Sequence, residues 1–271
     1  MNKRIDVDTK TSKHTGVKGL FEVLFRRFQV ATHIITMLPV YLFGCLVIGL
    51  CLTPSVYIFR WFSELSASQS TFIQNFTIAF SLAAGFFAYG LTLIFVAPAL
   101  NFIMFTNLKA WRGPYYSYEA LKWFMHNAFT YLPRFTFLDF VTPSPLGNLF
   151  FQMMGMKIGK GTVINTTYIS DPSMITLGKK VTLGGSVTIV GHYGQAGLLI
   201  IAPVRIGDDC TIGLKSSVMG GVTIGNGVKI MPHSVVMPKT VIPDNETWGG
   251  VPAKKVEIQQ TAASSDVQKS S

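Results

Sequence analysis

Charge is the first thing this sequence has little of. Asp, Glu, Lys and Arg make up 13% of its 271 residues, where an ordinary soluble domain has about 25%. None occurs from Phe28 to Phe59 or from Leu65 to Leu108, gaps of 32 and 44 residues, and this excludes an ordinary soluble enzyme. Each gap exceeds the ~20 apolar residues that cross a hydrocarbon core of ~30 Å. The sequence therefore predicts transmembrane helices over 33–59 and 75–106 with an external loop at 60–74; a buried helix of a soluble protein is the alternative at this length. Pro39, Pro54 and Pro98 predict kinks or tilts in these helices. The first run is too long for a signal peptide, and no small-residue cleavage site follows it.

Cysteine is scarce too. Cys45, Cys51 and Cys210 offer neither a disulfide framework nor a C-x-x-C metal spacing, as expected of a reduced cytoplasmic domain. Acidic residues are outnumbered, and the net charge of +10 divides unevenly. Residues 1–27 carry seven basic and three acidic groups, 60–74 carry Arg60 and Glu64, and 109–271 carry fifteen basic and nine acidic groups. Cationic flanks stay in the cytoplasm, which predicts an inner-membrane protein with both termini and the downstream domain inside. No basic stripe, RNA-binding aromatic motif or DNA-binding helix pair accompanies the charge, so nucleic acid is not the expected partner; the lipid bilayer is. In 1–32, Lys18, Arg26 and Arg27 interleave with Leu20, Phe21, Leu24, Phe25 and Phe28, as in an amphipathic stretch at headgroup level.

Residues 107–155 are crowded with aromatics, among them Trp111, Tyr115, Tyr116, Tyr118, Trp123 and Phe124. Helices are expected over Ser117–Leu132, ended by Pro133, and Leu146–Met154. They either lie at the membrane interface, where Trp and Tyr rings favour the boundary, or cap the following domain.

From 156 the chain turns to Val, Ile, Thr and Gly with no helical period. Apolar residues recur every six positions at Ile206, Ile212, Val218, Ile224, Ile230, Val236, Ile242 and Trp248, with shorter runs at Leu177, Leu183, Ile189 and at Ile158, Ile164. The steps of thirteen from 164 to 177 and seventeen from 189 to 206 mark insertions. Six residues per repeat make one short strand and one tight turn, and three such faces make a coil whose apolar layer is buried only by stacking on the next. Residues 156–257 suffice for about five coils at 18 residues each. The tail at 258–271 is polar and expected to be disordered.

The segments PVRIGDDCTIG (Pro203–Gly213), GVTIGNGVKI (Gly221–Ile230) and GVPAKKV (Gly250–Val256) resemble the hexapeptide-repeat acyltransferases, whose fold is a left-handed parallel β-helix. MGMKIGKG (Met154–Gly161) and GHYGQAGLLIIAPVRIG (Gly191–Gly207) look closest to the acyltransferase-like terminal domains of membrane-bound poly-lysine-type peptide synthetases. The resemblance implies a homotrimer that uses acyl-CoA, most often acetyl-CoA, by direct transfer without metal. It places the general base on a loop such as 191–203, hence His192, since imidazole can take the proton of an attacking hydroxyl; the alternative is a loop histidine satisfied by a carbonyl. Asp171 matches an acidic position ahead of a hexad and either orients the imidazole, binds the acceptor or serves only as a turn residue before Pro172. Asn165 is a weaker candidate of the same kind.

For coenzyme A, Arg205, Lys254 and Lys255 are candidates to meet the phosphates or are merely solvated, and Trp248 and Gly250 would admit the pantetheine arm. A backbone N–H of Gly213 or Gly221 is a candidate for the oxyanion. Cys210 sits at a corner-filling position and is not expected to be a nucleophile, and His233 is expected at the surface. The γ-type carbonic anhydrases share the coil, but their zinc needs an H-x-x-x-x-H pair that is missing here. The expected activity is acyl transfer to a hydroxyl of a glycan or lipid-linked acceptor. Amide formation on an amine or carrier-bound thioester, and a non-catalytic trimeric scaffold, are the alternatives.

Overall fold

The computed structural model describes residues 10–12 and 14–257; the tail expectation at 258–271 lies outside the described residues. Helix α1 (Gly16–Arg27) leads into α2 (Gln29–Ser66) and α3 (Thr71–Ile103). Within α2 and α3, Leu38–Ser66 and Thr71–Ile103 are long and apolar enough to cross a membrane, with mean hydropathy 2.1 and 2.0. The segment read as a loop, 60–74, is mostly helical, and only 67–70 separate the two helices. Arg60 and Glu64 continue the turn of α2, because a helix gains one hydrogen bond for each residue added once it is nucleated. The pair packs closely where small residues meet, and the Ser55 hydroxyl donates to the Gly85 carbonyl at 2.6 Å.

The aromatic segment forms α4 (Tyr118–Thr136) and α5 (Pro145–Met153). Ser117 caps α4 by accepting the Ala120 N–H at 3.1 Å, and Ser144 with Pro145 starts α5 in the same way. Pro133 does not end α4. The ring costs one hydrogen bond, which is offset one turn later by Phe137, 1% exposed and packed on Phe86 and Phe87. Both helices pack on α3 and on the first coil. Phe150, Phe151 and Met154 are fully buried in one core that runs from α3 through the first coil, while Phe124, Phe135 and Phe140 stay exposed.

The coils follow. The first is Lys157–Ile158, Val163–Ile164 and Ile169–Ser170; the second Ile175–Leu177, Thr182–Leu183 and Thr188–Val190; the third Val204–Ile206, Thr211–Ile212 and Ser217–Val218. The fourth is Thr223–Ile224, Lys229–Ile230 and Val235–Val236, and the fifth Val241–Ile242 and Thr247–Gly249, closed by antiparallel Lys254–Lys255. Strands of successive coils pair in parallel, with Leu177, Ile206, Ile224 and Ile242 in register, giving the left-handed β-helix expected. The inward residues from Ile164 to Ile242 are buried. One corner is stitched by side chains: Asp208 Oδ1 accepts the Lys179 N–H, Asn226 Oδ1 that of Asp208, and Asp244 Oδ1 that of Asn226, at 2.7–2.8 Å. That is why Asp or Asn follows the Gly or Pro of these hexads.

Both insertions occupy one corner, between the third face and the first, in successive coils. The earlier holds Asp171 and a 3-10 turn, Pro172–Met174. The later is a hairpin, His192–Gln195 with Leu198–Ile201, extended by the strand Trp111–Pro114.

Candidate active site

Stacking the two insertions places residues 21 apart in sequence in contact. His192 Nδ1 lies 2.5 Å from Asp171 Oδ2, and Asp171 is wholly buried while His192 is 21% exposed. The approach needs the glycine between them: a Cβ at Gly191 would lie 2.7 Å from Met174 Cβ and 3.0 Å from Asp171 Cβ. A carboxylate on Nδ1 fixes the tautomer in which that nitrogen carries the proton. It leaves Nε2, which has no hydrogen-bond partner among the described residues, as the lone-pair nitrogen.

Helix α4 supplies the rest, and the sequence did not signal it. Asn127 donates to Asp171 Oδ1 at 2.7 Å, and the edge of Trp123 meets the His192 ring at 4.8 Å between centroids. The Trp123 indole N–H, on the ring that meets His192, and the Tyr193 hydroxyl, on the opposite face of the same strand as His192, have no hydrogen-bond partner among the described residues. His126 is wholly buried. Its Nδ1 faces Asn101 Oδ1 at 2.7 Å, and its Nε2 faces the Ser173 hydroxyl at 3.3 Å. Asn101 Oδ1 also accepts from Thr106, and its amide donates to Asn107, which assigns the proton of His126 to Nδ1. Burial pushes the His126 pKa down to about 4, against a smaller upward pull from the Asp171 carboxylate. A polar path thus joins the last turn of α3 to the loop carrying Asp171. His126 and Asn127 are two of many polar residues in α4, and only their burial sets them apart.

The other candidates are not gathered here. Gly221 stands at the same corner one coil on, with φ 82°, and exposed Arg205 follows the hairpin. Gly213, Trp248, Gly250, Lys254 and Lys255 lie on or beside the second face. The Gly213 N–H donates to Ile230 O at 2.8 Å and that of Gly221 to Ala202 O at 3.3 Å, so both amides are already engaged within the coils. Lys255 Nζ pairs with Glu246 at 2.6 Å, and Glu246 also accepts from Trp248 Nε1 at 2.7 Å. These bonds hold the Glu246 carboxyl below, and the Lys255 ammonium above, their ordinary values. Asn165 stays on the second face. Cys210 is buried at its corner with its thiol pushed up by burial, which disfavours the thiolate a nucleophile needs. His233 is exposed in a left-handed turn. Among the described residues no group of three or more His, Cys, Asp or Glu is placed to hold a metal.

Residues 203–238 match the bacterial transferase hexapeptide family (six repeats). The delta-poly-L-ornithine synthetase of Acinetobacter baumannii is 22% identical over 154 residues, 57% of this chain and 11% of that protein. A 2,3,4,5-tetrahydropyridine-2,6-dicarboxylate N-succinyltransferase of Polynucleobacter asymbioticus is 35% identical over 39% of this chain and 38% of that enzyme. A solved hexapeptide-repeat acetyltransferase from Vibrio cholerae is 30% identical over 38% of this chain and 62% of its own, with a TM-score of 0.35. The chain therefore spans about a tenth of the first relative (11%) and under two-fifths of the second (38%). The six-residue period, the stacked coils and the family match over residues 203–238 agree on a left-handed β-helical domain built from hexapeptide repeats.

Proposed function

We propose that this chain is a membrane-anchored acyltransferase that moves an acyl group, acetyl first among them, from acyl-CoA to a hydroxyl of a glycan or lipid-linked acceptor. The observation that carries the reading is the His192–Asp171 contact at 2.5 Å in the corner where both insertions meet. In this reading Nε2 of His192 takes the hydroxyl proton as the oxygen attacks the thioester carbonyl, and the imidazolium that forms is stabilised by Asp171. The tetrahedral intermediate then collapses, breaking the C–S bond, and the proton goes to the departing CoA thiolate. The unpaired Trp123 N–H is a donor that a polar acceptor would satisfy. Arg205, Lys254 and Lys255 are the groups proposed for the CoA phosphates, Gly213, Gly221, Trp248 and Gly250 for its arm, and a homotrimer for the assembly.

Anchoring rests on α2 and α3, whose outward faces are exposed Leu, Ile and Phe, and on α1. In α1, Val17, Leu20 and Leu24 form one exposed stripe that Phe28 at its C-terminal cap continues, while Phe25 and Glu22 turn inward and Arg26 donates to the Tyr116 carbonyl. We place the chain in the inner membrane with its β-helix on the cytoplasmic side. Because α4 touches both the site and α3, the site is held close to that anchor, and confinement to one surface raises the effective concentration of a lipid-linked acceptor.

Amide formation on an amine or carrier-bound acceptor is the second reading. It is favoured by the ornithine synthetase match, which at 154 residues is longer than the β-helix itself. The test is CoA release from acetyl-CoA by the detergent-solubilised full chain with alcohol and amine acceptors. Base-labile products indicate esters and stable ones amides. Release at background level from both wild type and His192→Ala would sink both readings and leave the scaffold.

A further inference from the structure

We infer that Asn127 is a positioning residue for the Asp171–His192 pair; the inference rests on the base role of His192 and explains how its partner is held. Asp171 combines two unfavourable features. Its carboxylate is wholly buried, and its backbone is left-handed, with φ 60° and ψ 51°, a region uncommon outside glycine although Asp enters it more readily than most residues. A buried carboxylate without donors protonates or turns away.

The Asn127 amide meets both needs. Its Nδ2 donates one hydrogen to Asp171 Oδ1 at 2.7 Å and the other to the Trp123 carbonyl at 3.1 Å, while its Oδ1 accepts the Asp171 backbone N–H at 3.3 Å. This network admits one amide orientation, since a flipped amide would set oxygen against carboxylate and NH2 against N–H. One side chain therefore grips one residue at its carboxylate and at its backbone. With Oδ1 occupied, Oδ2 is aimed at His192 Nδ1. The same turn of α4 presents Trp123 to the imidazole edge and His126 to Ser173, two residues beyond Asp171, so α4 is the template on which the pair is built. Loss of the amide leaves Oδ1 buried and undonated, and His192 loses the fixed partner that sets its tautomer.

The test reads the hydrogen bond itself and needs no acceptor. In the ¹⁵N-histidine-labelled full chain in detergent, the Nδ1–H of His192 bonded to Asp171 should give a far-downfield proton resonance, assigned by its loss in His192→Ala. Asn127→Ala and Asn127→Leu, the second of which keeps the volume, should abolish it or move it upfield while the melting temperature shows a folded protein. Should either fail to fold, Asn127→Ser, which keeps a donor on a shorter stem, gives the reading in its place. An unmoved resonance in any folded variant overturns the inference. With acetyl-CoA, Asn127→Ala should lower kcat about 10- to 100-fold at unaltered KM and add little to the loss already caused by Asp171→Asn. Equal losses in the two backgrounds would also overturn it. CoA release that does not need His192 would defeat the acyltransferase reading alone, and the resonance would still decide this one.

Discussion

Gly220 lies against the backbone of His192, one coil further along the same corner. A Cβ built on it would stand 3.0 Å from His192 N and 3.1 Å from both Cα and C. Backbone cannot swing aside as a side chain does, so Gly220→Ala must move the imidazole. The shift needed is a few tenths of an ångström, well short of the ~1 Å that costs around 10²-fold in rate. Gly220→Ala is therefore expected to lower kcat several-fold with the fold intact, checked by CoA release and a melting curve side by side.

Asp171→Asn keeps the shape of the buried residue and removes its charge. The imidazolium formed as the acceptor loses its proton would then lack its counter-charge. A loss of about 10²-fold or more in kcat, with little change in KM for acetyl-CoA, is expected. A rise in KM alone would instead place Asp171 in acceptor or cofactor binding.

His126 predicts a pH dependence of stability. Its pKa is about 4 in the fold and near 6.5 when unfolded, so between those values the unfolded chain binds more protons. Stability therefore falls as pH drops from about 6.5 to about 4 and the loss levels off below, amounting to about 3 kcal/mol. Asn101, Ser173 and Asp171 are the groups facing the ring. His126→Gln should flatten this part of the profile in thermal unfolding from pH 7 to 4.

Gly90 of α3 sits beneath Phe137, and a Cβ there would lie 2.0 Å from the ring carbon Cγ. The ring is buried among Phe86, Phe87 and Phe140. Gly90→Ala should cost about 1–3 kcal/mol through overpacking, despite the better helix propensity of Ala. An unchanged melting temperature would show that the cap and α3 are less tightly joined than described.

The cofactor groups are separable from the base by kinetics. Arg205→Ala and Lys254→Ala should raise KM for acetyl-CoA several-fold at constant kcat, as loss of uniform binding does. Glu246→Gln should lower that KM by releasing Lys255 from its carboxylate.

What the sequence by itself determined was everything written in a period. The charge-free gaps from Phe28 to Phe59 and Leu65 to Leu108 specify two long apolar helices, because backbone polar groups in so apolar a run are satisfied only by helix. The sixfold recurrence from Ile206 to Trp248 specifies the coil, because each turn buries its Ile or Val only on the next. The breaks in that period located the two insertions, and the resemblance to the acyltransferases singled out His192 and Asp171 within them one at a time. Tertiary structure alone decided that the two breaks share a corner, since the first coil steps from Ile164 to Ile169 out of phase and thereby lifts Asp171 under His192. It likewise decided that α4 caps the site. Asn127 is 44 residues from Asp171, and a single amide in an amphipathic helix carries no periodic signal; its meaning exists only once α3, α4 and the first coil have packed into one core.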